Sequence, residues 1–523
     1  MPGAIVWTLV ALAYDTTVRG RVATMKSCII ALVLAGCSST FSPKPCALDS
    51  DCGSGLVCEM VDLDQVCVRA SDAPIIVGES APISGTNQAL GTQMKLGIEL
   101  AFDEQNAAGG IRGRQLTLDF RDDAYDPPAA EAAARAFTDV DVLTTPPKCP
   151  STALPEPTDG GVSTPVSTTA LDRGATAVLT ELGTVGTPTM VRAAPVVIET
   201  HTLYFGAFTG ATKILRDTTA GDCAKYVFNY RASYAQEAQA TVDLFQNRGL
   251  TGWQNLISFD QNDTYGDAGY NGLVAAYAAT YPDSPIPSNQ SIARFRYTRN
   301  DDTSVPAQAS AAEQYLASLL ASTSGTQFVG VMMTDTYGAG VEFIQAIRQW
   351  QFANDSQQQS LQKATRLVLY FSNVSFVGPN ALSDGLVALG SVATPTGQLP
   401  YTQDVYVSQV VPNYQSDTSD VVTDYNKLIA ANAATPGFTS LEGYIAARVY
   451  IAGLLAHDGP FTPDALIPTF ENLPDLSLGI GATAGFSPTN HQYSSSVWGT
   501  AIEPNGSFSS LYYWTPAGIS FFE

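Results

Sequence analysis

Charge is scarce in this 523-residue chain: Asp, Glu, Lys and Arg together make up 14% of it, against ~25% in an ordinary soluble protein. Basic residues are the scarcer kind, 26 Lys and Arg against 49 Asp and Glu, a formal net charge of −23. Such a chain repels phosphate backbones and anionic headgroups, so nucleic acid is not an expected partner. Histidine is almost missing; His201, His457 and His491 are scattered and in no metal spacing. There is no G-x-S-x-G elbow and no P-loop, and Gly183 with Gly186 lacks the third glycine of a dinucleotide fingerprint. Asp122-Asp123 looks like a catalytic or metal pair in isolation, but its place before Pro127 reads as a loop and helix N-terminal feature. No enzyme activity, cofactor or metal is expected. After residue 40 no uninterrupted apolar run reaches the ~18 residues that a membrane span needs.

What is present is ordinary globular material, 45% hydrophobic and 10% aromatic, long enough for two to four domains at ~150 residues each. Met25-Lys26-Ser27 gives a basic start and CIIALVLA (28–35) a short apolar stretch. Leu34-Ala35-Gly36-Cys37 then matches a lipoprotein lipobox, with small residues that let a peptidase reach the bond before Cys37. The expectation is a signal region over 1–36, with Met25 as the true start, and a lipid on Cys37 at the head of a 37–45 linker. Such a segment is set aside in fold reasoning. One acyl chain anchors only marginally, so attachment would need several.

Cys46, Cys52, Cys58 and Cys67 lie in a short Asp-, Gly- and Ser-rich stretch. In an exported chain they read as two disulfides stapling a mini-module over 46–68, too small for a core, with the three pairings left open. A zinc site is the competing reading, but there are no C-x-x-C knuckles and no nearby His. With Cys28 in the signal and Cys37 lipidated, Cys149 and Cys223 remain as a third bridge.

From Pro74 the pattern alternates. Ile75-Ile76-Val77 is an apolar strand; Met94, Gly97, Ile98, Ala101 and Phe102 share one helical face, ended by Gly109-Gly110. Leu116, Leu118 and Phe120 form the next strand, and Pro127-Pro128 opens an Ala-rich helix. Residues 144–173, rich in Pro, Thr and Ser, read as an inserted loop. Further apolar strands are expected at 177–179, 203–205, 226–228, 256–259, 328–332 and 367–371. Repeated βα units mean parallel sheets covered by helices on both faces. About 450 residues of them exceed one core, so the fold class is α/β with two lobes.

The segment IIVGESAPISGTNQALGTQMKLGIELAFDEQNAAGGIRGRQLTLDFRDDAYDP resembles the opening of the leucine/isoleucine/valine-binding family, class I periplasmic substrate-binding proteins of ABC transporters. LGTVGTPT (182–189) resembles the family's first ligand loop, FTGA (208–211) with Leu215-Arg216 its second, and SLEGYIAARVY (440–450) and FSPTNHQ (486–492) its C-terminal blocks. The resemblance covers roughly residues 74–515 and omits the cysteine module and the 144–173 insertion. It implies two lobes joined by three crossovers, with lobe 1 from 74–231 and 412–483 and lobe 2 from 232–411 and 484–523. It also implies a small polar ligand in the cleft between them, an amino acid, amide or related compound. The expected function is an extracytoplasmic lipoprotein, periplasmic or on the cell surface, that is a monomer and passes its ligand to an ABC permease. A ligand-sensing or interaction lipoprotein without a transporter is the alternative.

By the same resemblance Thr184 takes the place of a carboxylate-contacting serine, with Thr187 in the same loop; an N-cap is the plainer reading of Thr184. Ala207 and Thr209 match positions that contact ligand through backbone and hydroxyl. Phe208 between them is a cleft wall or core. Tyr265 and Tyr337, just after lobe-two strands, match rings placed over the ligand. Two departures stand out. The family pairs the ligand's ammonium with an acid after a lobe-two strand, but the matching stretch here is Phe371-Ser372-Asn373-Val374-Ser375, with no acid. A buried ammonium without a carboxylate is costly, so either Asp335 or Glu442 substitutes or the ligand is no standard α-amino acid. Leu90 replaces an aromatic near the side-chain pocket.

Overall fold

A computed structural model describes residues 44–61, 64–139, 177–211, 225–476, 478 and 484–522. The chain falls into two units, Met1–Pro45 and Cys46–Glu523; of the first only Lys44 and Pro45 are described. The signal region, Cys37, Cys149, Cys223, Leu215-Arg216 and the 144–173 insertion lie outside the described residues. Among the described residues no helix is long and apolar enough to cross a membrane.

The cysteine module is a hairpin, β1 (Leu56–Val61) against β2 (Asp64–Arg69). Cys58 and Cys67 face each other across it, yet each bonds to the preceding loop instead, in the pairs Cys46–Cys58 and Cys52–Cys67. The sulfurs of Cys46, Cys52 and Cys67 lie close together, but all are spent in disulfides, so no thiolate is left for zinc. The module is seated on the body. Arg112 pairs with Asp49 and Arg114 with Glu59, and both guanidinium groups lie over the Phe461 ring at 4.3 and 5.1 Å.

The first sheet is all parallel: β3 (Ile75–Ala81), β4 (Leu116–Asp122), β5 (Thr180–Leu182), β6 (Leu203–Phe205) and β7 (Val227–Phe228), in the order β4-β3-β5-β6-β7. The strand expected at 177–179 starts at Thr180. The residues before it are drawn off, the Val178 amide to Phe137 O and that of Leu179 to Ile76 O. Helices α1 (Gln88–Ala107), α2 (Pro127–Thr138) and α3 (Thr187–Glu199) follow strands of this sheet.

The second lobe holds α4 (Tyr234–Asn247), β8 (Leu256–Gln261), α5 (Thr264–Thr280), β9 (Ala293–Tyr297), α6 (Val305–Ser322), β10 (Gln327–Thr334), α7 (Tyr337–Phe352), α8 (Gln357–Arg366), β11 (Leu367–Asn373) and α9 (Pro379–Leu389). A small hairpin, β12 (Ser391–Thr394) with β13 (Gly397–Pro400), precedes β14 (Val405–Gln409). The chain then returns to the first lobe for α10 (Asp420–Ala431), α11 (Phe438–Ala456) and α12 (Pro463–Glu471). It ends with β15 (Val497–Ile502), β16 (Phe508–Thr515) and β17 (Gly518–Phe521) on the second sheet. That sheet corrects the expectation of parallel strands throughout: β14, β11, β10, β8 and β9 run parallel, but β15, β16 and β17 are antiparallel. The reason is local. The turn closed by Glu503 N donating to Ser507 O is far too short for the crossover that parallel strands require.

Glycines let α11 lie directly on α1. A Cβ at Gly97 would sit 2.0 Å from Ser440 O, and one at Gly443 would sit 2.5 Å from Met94 O. Three chain segments cross between the lobes and are laced together. Asn229 N donates to His491 O, Tyr493 N to Asn229 O and Ser494 N to Tyr230 O, each at 2.8 Å. The Tyr230 hydroxyl donates to Val410 O on the remaining crossing segment. The histidines are structural here: His491 is bonded to Val227 O and Glu471, His457 to Thr469 and Pro460 O, and His201 stacks on Tyr226.

Candidate functional site

The strand ends of both sheets face each other, as open α/β sheets place their ligand-binding loops. On the first lobe the rim begins with Asp122-Asp123. The Asp122 carboxylate accepts from the Ile83 and Ala124 amides, and that of Asp123 from the Tyr125 amide and the Ser80 hydroxyl. These bonds hold Ala124 and Tyr125 at φ +50° and +59°, a left-handed turn that costs non-glycine residues energy; the Tyr125 ring is fully buried. The acid pair is thus a loop device, as its position suggested; Asp126 caps α2 by accepting from Ala129 N.

Beside it stand the loop from Gly183 to Thr187 and the loop from Ala207 to Gly210, tied together by Phe208 N donating to Thr184 O and Gly186 N to Phe208 O. Thr184 is buried and is not an N-cap, since Gly186 holds that position. Its hydroxyl donates to Glu181 Oε1 at 2.8 Å. Thr187 and Thr209 share a hydrogen bond at 2.7 Å, so of the expected ligand contacts Thr184, Thr187, Ala207, Phe208 and Thr209 form one rim.

The second lobe answers with rings. Phe376, in the turn after β11, has its centroid 4.9 Å from Phe208, 5.9 Å from Tyr125 and 4.8 Å from Tyr265. The structure therefore brings Tyr265 to the rim through Phe376. Tyr265 is fully buried, and its hydroxyl donates to Asp335 O at 2.9 Å. Gln261 donates to the Tyr125 hydroxyl at 3.2 Å and Asn87 to Asn300 at 2.8 Å, both from lobe to lobe. Tyr337 stands on a flank instead: its hydroxyl donates to Thr86 O, and its ring and Leu90 close around Gly378.

Between the lobes, on the first crossing segment, lies Arg231, fully buried. It pairs with Glu237 of α4 at 2.9 Å and with Glu442 of α11 at 3.5 Å. Burial opposes its charge, but Glu442 and Glu237 outweigh that and hold its pKa above the ordinary value. Glu237 also accepts from the Ser375 amide at 2.7 Å and from the Ser408 hydroxyl at 2.7 Å. Glu442, one of two acids considered for a ligand ammonium, is thus engaged with a protein cation. Asp335, the other, is buried inside the second lobe against Gly340 and Leu382, and burial raises its pKa well above the carboxylate range.

Sequence reasoning missed Tyr125, Phe376, Glu181 and Arg231. One signal was available for the last: Arg231 is the sole basic residue of the stretch 226–240, and a cation in an apolar segment must have partners.

Two α/β lobes, three crossing segments and facing rims of hydroxyls and rings define a two-lobed binding protein. The periplasmic binding protein family matches residues 74–153 and 170–507, and the chain belongs to that family. Its fold and family are those of binding proteins, not enzymes. The crystal structure of a possible leucine/isoleucine/valine-binding protein from Rhodopirellula baltica SH 1 is 28% identical, with a TM-score of 0.63 over 85% of this chain and 98% of that one. The leucine binding protein LivK of Thermotoga maritima MSB8 shares the fold at 14% identity, TM-score 0.58, over 85% and 99% of the two chains. A Leu/Ile/Val-binding protein homolog 2 from Brucella abortus (strain 2308) is 46% identical over 67 residues, 13% of this chain and 18% of that protein's length. The alignment thus spans under a fifth of that curated relative.

Proposed function

We propose that this chain is a solute-binding protein that traps a small polar ligand between its lobes and delivers it to an ABC permease, from outside the cytoplasm and on a lipid carried by Cys37. The observation that supports it best is the convergence at the crossing segments. The Thr184–Thr187 and Ala207–Thr209 loops and Tyr125 meet Tyr265 and Phe376 beside a buried Arg231 that bonds an acid from each lobe. Opening the lobes would part these rings and uncover the Thr184 loop; closing buries whatever lies between. The family membership points the same way. Thermal unfolding of the full chain against L-leucine, L-phenylalanine, benzoate, acetamide and urea tests the reading. A ligand at ~100 times its Kd adds about 2.7 kcal/mol, so at least one compound is expected to raise the melting temperature by several degrees. A flat response to every compound would overturn the reading.

A further inference from the structure

Beside the crossing segments the molecule holds a pocket of about 460 Å³, inside the range of ~300–1,000 Å³ that small-molecule sites occupy. None of its lining residues belongs to the rim formed by the Thr184 and Thr209 loops. Its walls come from both lobes. Phe486 lies against the first sheet, its ring centroid 5.8 Å from Phe205 and 5.1 Å from Phe228. Gln236 is on α4 of the second lobe, and Pro516 directly follows β16. Asn490, Gln492, Tyr493 and Ser495, on the last crossing segment, join them in the lining.

The polar groups here are partly unspent. Gln236 Oε1 accepts from Ser233 N at 2.8 Å and from Gln492 Nε2 at 2.7 Å. A backbone amide only donates, so the side-chain oxygen must face it, and Gln236 Nε2 is left without a hydrogen-bond partner among the described residues. Gln492 spends Nε2 on Gln236 and on Ser494 O. Among the described residues its Oε1 has no partner, nor does the Ser495 hydroxyl. The pocket thus offers an amide donor, an amide acceptor and a hydroxyl that is both.

Among the described residues no charged side chain lines it. An anion would find no cation there, and a cation no carboxylate. Hydroxyl groups, each donor and acceptor at once, match the unspent set. The Phe486 and Tyr493 rings, with centroids 5.1 Å apart, supply an apolar floor against which the C–H face of a sugar ring packs.

The lining residues also belong to the hinge. Tyr493 N and Ser494 N donate to Asn229 O and Tyr230 O, and the Gln236–Gln492 bond ties α4 to the same segment. Lobe motion turns these crossing segments, so the shape of the pocket follows the angle between the lobes. In this structure the lobes are in contact, Asn87 with Asn300 and Gln261 with Tyr125, and the pocket is formed in that arrangement. A molecule that fills it favours closed lobes, the arrangement a guest in the cleft also selects.

We propose that the pocket at the crossing segments binds a neutral mono- or disaccharide, and that its occupation strengthens ligand binding in the cleft. The sugar site stands on the pocket alone. The coupling rests on the solute-binding reading above, and it is reciprocal.

Amide hydrogen exchange on the full chain with D-glucose, D-galactose, D-ribose or maltose tests the site. At least one sugar is expected to slow exchange across 484–495. Calorimetry with that sugar is expected to show an affinity that Gln492→Met lowers about threefold to tenfold, the worth of one neutral hydrogen bond. Pro516→Trp, which puts a large ring into the pocket from an exposed position, is expected to abolish binding and keeps the test decisive if Gln492→Met fails to fold. Silence from all the sugars, protection at 183–187 and 207–210 with none at 484–495, or an affinity that neither variant changes would each overturn the site.

For the coupling, the compound that raises the melting temperature most among L-leucine, L-phenylalanine, benzoate, acetamide and urea is titrated with and without the sugar. Its affinity is expected to rise about fivefold or more. Equal affinity overturns the coupling and leaves the sugar site standing. If those five compounds all fail while a sugar protects 484–495, the solute-binding reading falls and takes the coupling with it, and the site stands.

Discussion

The two lobes bury acids at their facing ends in opposite ways. In the second lobe Asp260 accepts from Arg294 and Arg296, Asp263 pairs with Arg299 at 3.0 Å, and Glu237 holds Arg231. In the first, among the described residues, Asp123 and Glu181 are bonded only to hydroxyls and an amide, and burial raises their pKa values. Asp335 is the second lobe's exception: it follows the end of β10, and among the described residues neither of its buried carboxylate oxygens has a hydrogen-bond partner. Removing a carboxylate from water is repaid only by a well-placed cation or several hydrogen bonds. Asp335 apart, the second lobe meets that cost within the protein. The first leaves it unmet behind the Thr184 loop.

The largest effect that would break this contrast is at the ion cluster shared by both lobes. Arg231→Met leaves Glu237 and Glu442 buried without the cation they share, so a loss of about 3–5 kcal/mol in urea unfolding is expected. A loss under about 1 kcal/mol would show that the second lobe's acids are not held by their cations. An intermediate effect lies in the pH dependence. The ordinary values for Glu181 and Asp123 are 4.5 and 3.8, and in the folded chain they stand at about 8 and about 7. Below the ordinary values both groups are neutral in the folded and unfolded chain. As pH rises toward 8 the unfolded chain gives up these protons and the folded one keeps them, so stability falls across that window and levels above it. E181Q is expected to flatten part of that slope and to be more stable than wild type at pH 8.5. A wild-type melting temperature that climbs from pH 5 to 8 would contradict the raised values. The smallest effect belongs to Glu131, whose bonds to Arg135 and Arg192 are partly solvated. Glu131→Gln is expected to cost less than about 1 kcal/mol by the same denaturation assay.

The legibility of the sequence follows the same division. The βα alternation was readable from Ile75 onward because short apolar strands and helical faces such as Met94 to Phe102 are local patterns. The antiparallel edge was not, since residues 497–521 give no sign of which sheet edge they join until β14 is in place beside β15. At the site, the hydroxyl loops were legible through the family resemblance of residues 182–189 and 208–211, and Thr184, Thr187, Ala207, Phe208 and Thr209 do share a rim. Their bonding could not be read: the Thr184 hydroxyl is directed to Glu181, three residues back on the strand. Tyr125 depends on two consecutive left-handed residues held by Asp122 and Asp123, and Phe376 on the meeting of two lobes more than 160 positions apart in sequence at Phe208. Neither leaves a periodic trace. The pairing of Cys46 with Cys58 and Cys52 with Cys67 was likewise open among three possibilities until the hairpin was seen.

The most direct measurement is amide hydrogen exchange on the full chain, with and without L-leucine or L-phenylalanine, whichever raises the melting temperature more. Slower exchange is expected together at 183–187, 207–210 and 374–377, the loops of both rims, with the module at 46–68 unchanged. Protection confined to one lobe, or found only away from these loops, would contradict a ligand held between the two.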